Sequence, residues 1–222
     1  MKQLSTILLG ILLCATPLLT SCSDSDDDGS NEFANWQTRN NQYFADIRTS
    51  ALNAINQAKT AHPDSWQDNC DWRAYLSYAR SATATNNTAT DSIFVKILKR
   101  GTGTDSPLST DNVRVFYLGR LMPTTQHPDG KIFDHSGQSS IEAKIFDRST
   151  AVPATFKITE LTRGFATALQ YMHIGDRWRI YVPYQLGYGS TTSASVPAYS
   201  TLVFDIELVQ YARMGTTLPD WN

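Results

Sequence analysis

Apolar residues recur along this chain with two different periods, and the change of period divides it. Phe33, Trp36, Tyr43, Phe44, Ile47, Ala51, Leu52, Ile55 and Ala58 follow one another at steps of three and four, which predicts an amphipathic helix over 31–59. Ser30 or Asn31 is available to cap its start, Glu32 falls in the first turn, and His62-Pro63 ends it. The stretch holding Trp66, Trp72, Tyr75 and Tyr78 has weak periodicity and receives no element. Ala82 to Asp91 is rich in Thr, Ala and Asn and reads as a linker. From Ser92 onward the pattern becomes strand-like: Ile93 to Leu98 and Val113 to Leu118 are β-like runs, and the apolar residues of Arg177 to Val182 and Leu202 to Val209 recur with period two, with Gly, Pro, Asp and Ser turns between the runs.

The first 22 residues have the form of an address. Lys2 gives a positive start, Ile7 to Leu13 form an apolar run too short to span a bilayer, and Leu19-Thr20-Ser21-Cys22 resembles a bacterial lipobox. Residues 1–21 are therefore expected to be a lipoprotein signal peptide. Cys22 would be the acylated, palmitate-bearing residue that anchors the chain without a membrane-spanning helix. Ser23 to Gly29 is strongly acidic and cannot pack, so 22–30 reads as a tether. The expected location is the cell envelope, at the outer membrane, on either its periplasmic or its surface face.

Composition excludes some classes. A formal charge of −2 with scattered Lys and Arg offers no basic stripe for phosphates, so no nucleic-acid partner is expected. Of three cysteines, Cys14 lies in the leader and Cys22 would carry lipid. Cys70 then remains as a small buried apolar residue with no disulfide partner. Four histidines without paired cysteines give no metal-ligand pattern, and no cofactor is expected.

The motifs within the strand region carry a family likeness. Lys99-Arg100-Gly101-Thr102-Gly103 leads into Val113-Arg114-Val115-Phe116-Tyr117-Leu118-Gly119, followed by Asp129-Gly130-Lys131-Ile132-Phe133-Asp134-His135-Ser136. Arg163 to Met172 then has the form of a single short helix closed by Ile174-Gly175-Asp176, and Leu186-Gly187-Tyr188-Gly189 precedes Val196-Pro197 and the last strand. In this order they resemble an FKBP-type peptidyl-prolyl cis-trans isomerase over about 92–211. The resemblance implies an α+β fold: a curved antiparallel half-barrel wrapped around one short helix. Here it would carry an N-terminal helical appendage over 31–91, the isomerase domain over 92–212 and a tail over 213–222.

It also implies a site. Tyr117, Phe133, Leu161, Phe165, Tyr188, Val196 and Phe204 would line an apolar pocket. The backbone N–H of Thr162 and the phenol of Tyr188 would hold peptide carbonyls, while Asp134 would face the carbonyl next to the prolyl nitrogen or hold Tyr117 in place. Two features depart from the family pattern. A long insertion separates Asp134 from Phe156 and repeats the theme as Phe146-Asp147-Arg148-Ser149, and Phe165 stands where many members carry Trp. Phe133 and Asp134 are favoured over the second copy because an Asp-Gly turn directly precedes them. The implied partners are prolyl-containing polypeptides, with macrolide-type ligands bound weakly for want of an indole. A non-catalytic peptide-binding module or lipoprotein scaffold on the same fold is the alternative reading.

Overall fold

The computed structural model describes residues 31–137 and 151–221. The expected signal peptide, the tether with Cys22 and the second Phe-Asp copy at 146–147 lie outside the described residues. Glu32–Asn222 forms one compact unit.

Helix α1 (Trp36–Ala61) is followed by strands β1 (Trp72–Leu76), β2 (Ser92–Lys99), β3 (Asn112–Arg120), β4 (Ile132–His135) and β5 (Ala154–Lys157), short helix α2 (Arg163–Leu169), then β6 (Arg177–Val182) and β7 (Leu202–Ala212). All seven strands join one antiparallel sheet in the order β1-β2-β6-β7-β3-β4, with β5 also pairing β3. This is the expected α+β class. Alternation along β6 explains the layering: Trp178, Ile180 and Val182 are buried toward α2, while Arg177, Arg179 and Tyr181 between them are only partly covered. Ile93, Val95 and Ile97 of β2, Tyr117 of β3 and Leu202, Phe204 and Ile206 of β7 join the same core with Phe165, Leu169 and Met172.

The other face of the sheet is closed by α1. Phe44 packs on Phe94 at 5.6 Å between ring centroids, and Tyr181 lies between Trp72, stacked at 5.8 Å, and Tyr43 at 6.5 Å. β2 is accordingly buried on both sides. The anticipated helix is present but begins later than Ser30 or Asn31 would have it. Residues 32–35 form turns, Asn35 adopts a left-handed conformation at φ 51°, and regular helix starts at Trp36. The reason is tertiary: the Glu32 carboxylate accepts from the Thr124 hydroxyl at 2.7 Å and pairs with His127 Nδ1 at 2.7 Å, so the β3–β4 connection holds this segment. The helix ends at His62, whose amide donates to Ala58 O.

The aromatic stretch left without an element contains β1, an edge strand in register with β2 from Trp72↔Lys96 to Leu76↔Ser92. The boundary expected near 91/92 therefore falls within a sheet, and 77–91 is the connection between two neighbouring strands. It folds back on itself. Thr88 and Asp91 form a capping box, the Ser77 amide donates to Asp91 O, and Arg80 reaches Asp91 at 3.2 Å.

Helix α1 is tied to the loop before β7 by buried polar contacts. Trp36 Nε1 donates to Ser200 Oγ at 2.8 Å, and the Thr201 amide donates to Asn40 Oδ1 at 2.7 Å. Asn40 is fully buried. Asn40→Ala strands the Thr201 amide and is expected to lower unfolding stability by about 1 to 3 kcal/mol. Chemical denaturation should show this as a lower midpoint in one cooperative transition; a separate early transition for the helix would show that α1 is independent of the sheet.

Candidate active site

The candidate site lies where β3, β4, β7 and the start of α2 converge. Gly119 stands at its centre, paired with Asp134 on one side and Phe204 on the other. A Cβ at Gly119 would fall 2.7 Å from Phe133 Cζ and 2.8 Å from Phe204 Cε1, so the absent side chain is what lets these two rings meet, at 5.4 Å and nearly perpendicular. Phe204 in turn meets Phe165 edge-on at 5.0 Å, and Phe165 meets Tyr117 at 6.1 Å. Phe165 and Phe204 are 4 % exposed and Tyr117 is 7 % exposed. Perpendicular contacts of this kind set the positive edge of one ring against the negative face of the next.

Phe165 is placed by its neighbour. Gly164 lies directly against the Val182 side chain, so α2 sits close to β6 and drives the following ring between Tyr117 and Phe204. Leu161 is partly buried against the same core, and Val196 is buried in it at the end of a tight Ser193–Val196 turn. Thr162 is the residue just before α2, and its hydroxyl is buried with neither a capping contact nor another hydrogen-bond partner among the described residues.

The polar part of the site centres on Asp134. The Tyr117 hydroxyl donates to its carboxylate, and Tyr188 lies near enough to feel its charge. Asp134 is exposed and Tyr188 is 39 % exposed, so the carboxylate and this second phenol sit at the rim while the phenylalanines form the floor. Burial, then the Asp134 charge, then the hydrogen bond to it push the Tyr117 phenol well above the ordinary tyrosine range. Burial and the same carboxylate raise Tyr188. Both hydroxyls remain donors throughout the neutral range.

Of the nine residues singled out from the sequence, Tyr117, Phe133, Phe165 and Phe204 meet in one row of rings, Asp134 is paired with Gly119 beside them, Thr162 precedes α2, Leu161 and Val196 pack in the core, and Tyr188 is partly exposed. Two neighbours had not been anticipated. Phe156 of β5 meets Tyr117 at 5.5 Å and Phe165 at 6.4 Å, completing a ring triangle. Ser136 brackets the Tyr117 backbone, its amide donating to Tyr117 O and its Oγ accepting from Tyr117 N, both at 3.0 Å. Ser136 could have been noticed as the last residue of the Phe-Asp-His-Ser string. Phe156 had only its alternation in a four-residue strand.

A seven-stranded antiparallel sheet packed on one short helix, with a row of aromatic rings beside an exposed carboxylate, is the arrangement that this segment of the chain presents. Residues 103–209, just under half of the chain, match the FKBP-type peptidyl-prolyl cis-trans isomerase family. The macrophage infectivity potentiator of Trypanosoma cruzi is 38% identical over 119 residues, covering 53% of this chain and 52% of the relative. The FKBP-type 22 kDa peptidyl-prolyl cis-trans isomerase of Escherichia coli (strain K12) is 33% identical over 137 residues, covering 61% and 57%. The outer membrane protein MIP of Legionella longbeachae is 32% identical over 119 residues, covering 53% and 43%. The chain thus spans about half the length of the curated relatives it matches.

The raised phenols give a pH dependence with a definite sign. A folded-state value above the unfolded value near 10 means that the stability drawn from neutral Tyr117 is complete below about pH 10 and is lost as pH rises toward the folded-state value. Denaturation midpoints should accordingly fall between about pH 10 and pH 11, and fall less steeply in Tyr117→Phe. Parallel declines in the two proteins would show that Tyr117 is not held by Asp134 and burial.

Proposed function

We infer that this cleft accelerates cis–trans rotation about prolyl amide bonds in polypeptides. The supporting observation is the arrangement itself: Phe133, Phe204, Phe165 and Tyr117 form a chain of mutually perpendicular rings beside Asp134, in a segment that matches the isomerase family. Rotation is slow because the amide carbon–nitrogen bond has partial double-bond character, with a barrier of about 18 to 20 kcal/mol. At the twisted geometry that conjugation is lost and the amide is less polar. A dry aromatic floor therefore favours the twisted form over the planar one, and no nucleophile is required. The Tyr188 phenol and the Thr162 N–H hold peptide carbonyls on either side of the rotating bond, and Asp134 keeps Tyr117 fixed in the wall.

Clients on this reading are prolyl-containing polypeptides outside the cytoplasm. The lipobox at 19–22 and the acidic stretch after it support a lipid anchor at Cys22 and a place in the cell envelope, in keeping with the outer-membrane designation of the Legionella longbeachae relative. Phe165 retains an apolar floor but lacks an indole, which favours retained isomerisation with weak macrolide binding.

An assay of prolyl-peptide isomerisation on the purified protein tests the activity directly, and acceleration over the uncatalysed rate is expected. Asp134→Ala should lower kcat/KM about tenfold or more, in the range of positioned polar groups in active sites, with little change for Asp147→Ala. The reverse ranking would transfer the role to the second Phe-Asp copy, and no acceleration by the wild-type protein would end the isomerase reading. Separately, Cys22→Ser should move the protein from the membrane fraction to the soluble fraction with its thermal transition unchanged. Unaltered fractionation would rule out the anchor.

A further inference from the structure

The sheet ends on one side at β1, and the hydrogen bonds around β1 fix which of its backbone groups look outward. The Ile97 amide donates to Asp71 O and the Ser77 amide donates to Asp91 O, in the same register that pairs Trp72 with Lys96 and Leu76 with Ser92. In an antiparallel pair the bonded positions recur at every second residue. Arg73 and Tyr75 therefore turn their N–H and C=O toward β2, while Trp72, Ala74 and Leu76 turn theirs away from the sheet. Among the described residues β1 has β2 as its single neighbouring strand.

The outward groups are closed off at one end and left open at the other. At Trp72 the amide donates to Cys70 Sγ at 3.4 Å and the carbonyl accepts from Arg73 Nη1 at 2.7 Å. Ala74 and Leu76 have no such backbone partners among the described residues, and Ala74 is exposed. A row of outward N–H and C=O groups is a template for another extended chain, which proteins commonly blunt with lysine, proline or a bulge. β1 reads Trp-Arg-Ala-Tyr-Leu, runs beside β2 without a register shift, and keeps its one charged side chain, Arg73, buried. The small side chain of Ala74 leaves the opening unobstructed.

The flank on the α2 side is aromatic. Tyr75 stacks on Tyr171 at 4.0 Å, and Tyr78, just beyond the strand, stacks on Tyr171 at 4.9 Å and is 52 % exposed. A strand laid along β1 alternates its side chains between the two faces, so every second residue falls on the side of Tyr75.

We propose that the free edge of β1 takes up an extended segment of a polypeptide as an added strand, held through the N–H and C=O groups of Ala74 and Leu76 with alternate apolar side chains on the side of Tyr75 and Tyr78. The shortness of the edge selects this occupant over a second copy of the chain. β1 has five residues and a length of about 17 Å, and pairing two such edges buries far less than the roughly 1,200 Å² of a stable interface. Backbone hydrogen bonding suits brief, weak capture of segments that differ in sequence. The edge lies three strand spacings, about 14 Å, from β7 and on the far side of the sheet from β4, so this surface is independent of the isomerase reading.

The test is amide hydrogen exchange, followed residue by residue by NMR in the whole protein, with a capped, proline-free peptide of alternating threonine and valine. Leaving out proline keeps prolyl isomerisation out of the measurement. In the free protein the amides of Arg73 and Tyr75 should be protected and those of Ala74 and Leu76 should exchange freely. The peptide at millimolar concentration should slow Ala74 and Leu76 saturably, by about tenfold or more, and the same peptide methylated at every backbone nitrogen should not. Ala74→Pro removes an N–H that β2 does not use, a change an edge strand accommodates, and should abolish the protection at Leu76. If Ala74→Pro fails to fold, the methylated peptide still decides. The proposal is overturned by outward amides that the peptide leaves unprotected, by equal protection from the methylated peptide, or by full protection of Leu76 in folded Ala74→Pro. Protection already present without peptide also overturns it: if it rises with protein concentration the edge belongs to a second copy, and if it does not the edge is covered by the chain itself.

Discussion

The close approach of α2 to β6 is the contact on which the rest depends. A curved sheet of seven strands has one helix of seven residues to close its inner face, so that helix must lie deep. A methyl group at Gly164 would press on Val182, with Cγ2 at 2.9 Å and Cγ1 nearer still. Because Gly164 carries none, Ala168, Leu169 and Met172 reach complete burial and Phe165 enters the row of rings that ends at Phe133. At the far end the same depth brings Tyr171 onto Tyr75. One missing side chain thus shapes the packing at both ends of α2.

The opposite face of the sheet is organised around charge as well as burial. Arg179 and Asp205 form a two-pronged pair at 2.7 and 2.9 Å, with Asp205 only 2 % exposed. This pair lies between the aromatic cluster under α1, with Phe44, Phe94 and Tyr181, and the apolar cluster of Phe116, Leu118 and Ala151. Desolvation offsets much of the attraction in a buried ion pair, so its contribution is chiefly to register: Arg179 meets Asp205 only when β6 and β7 pair as they do. A slip of one residue would place the carboxylate in the inner core.

Much of this was legible in the chain because the physics was local. Strict alternation in β6, the glycines at 119, 164 and 175, and the Tyr-Gly turn after β6 each report a backbone or facing requirement at their own position. β1 was not legible, for a reason that lies in Arg73. Its guanidinium is buried, satisfied by the carbonyls of Gln67, Cys70 and Trp72, so an inward residue reads as polar and the alternation through Trp72, Arg73, Ala74 and Tyr75 disappears. The polar stretch before β2 misled similarly, since the composition of a strand-to-strand connection and that of an interdomain linker are the same. The start of α1 depended on Glu32 finding Thr124 and His127, and Phe156 joined the cleft through its pairing with Val113; no short-range pattern encodes either contact.

The buried ties between α1 and the loop before β7 bear on where this protein can be divided. Ser200 accepts from Trp36 and donates to Pro197 O at 2.6 Å, and Pro197 follows Val196, which packs beneath the cleft. A fragment cut at residue 103 would lose β1 and β2 together, bare the edge of β6 that pairs with β2, and leave the chain around Val196 without its outer support. The helix is thus a buttress whose thrust reaches Val196 through the loop before β7, and the piece that keeps this support is longer than the matched segment by a helix and two strands.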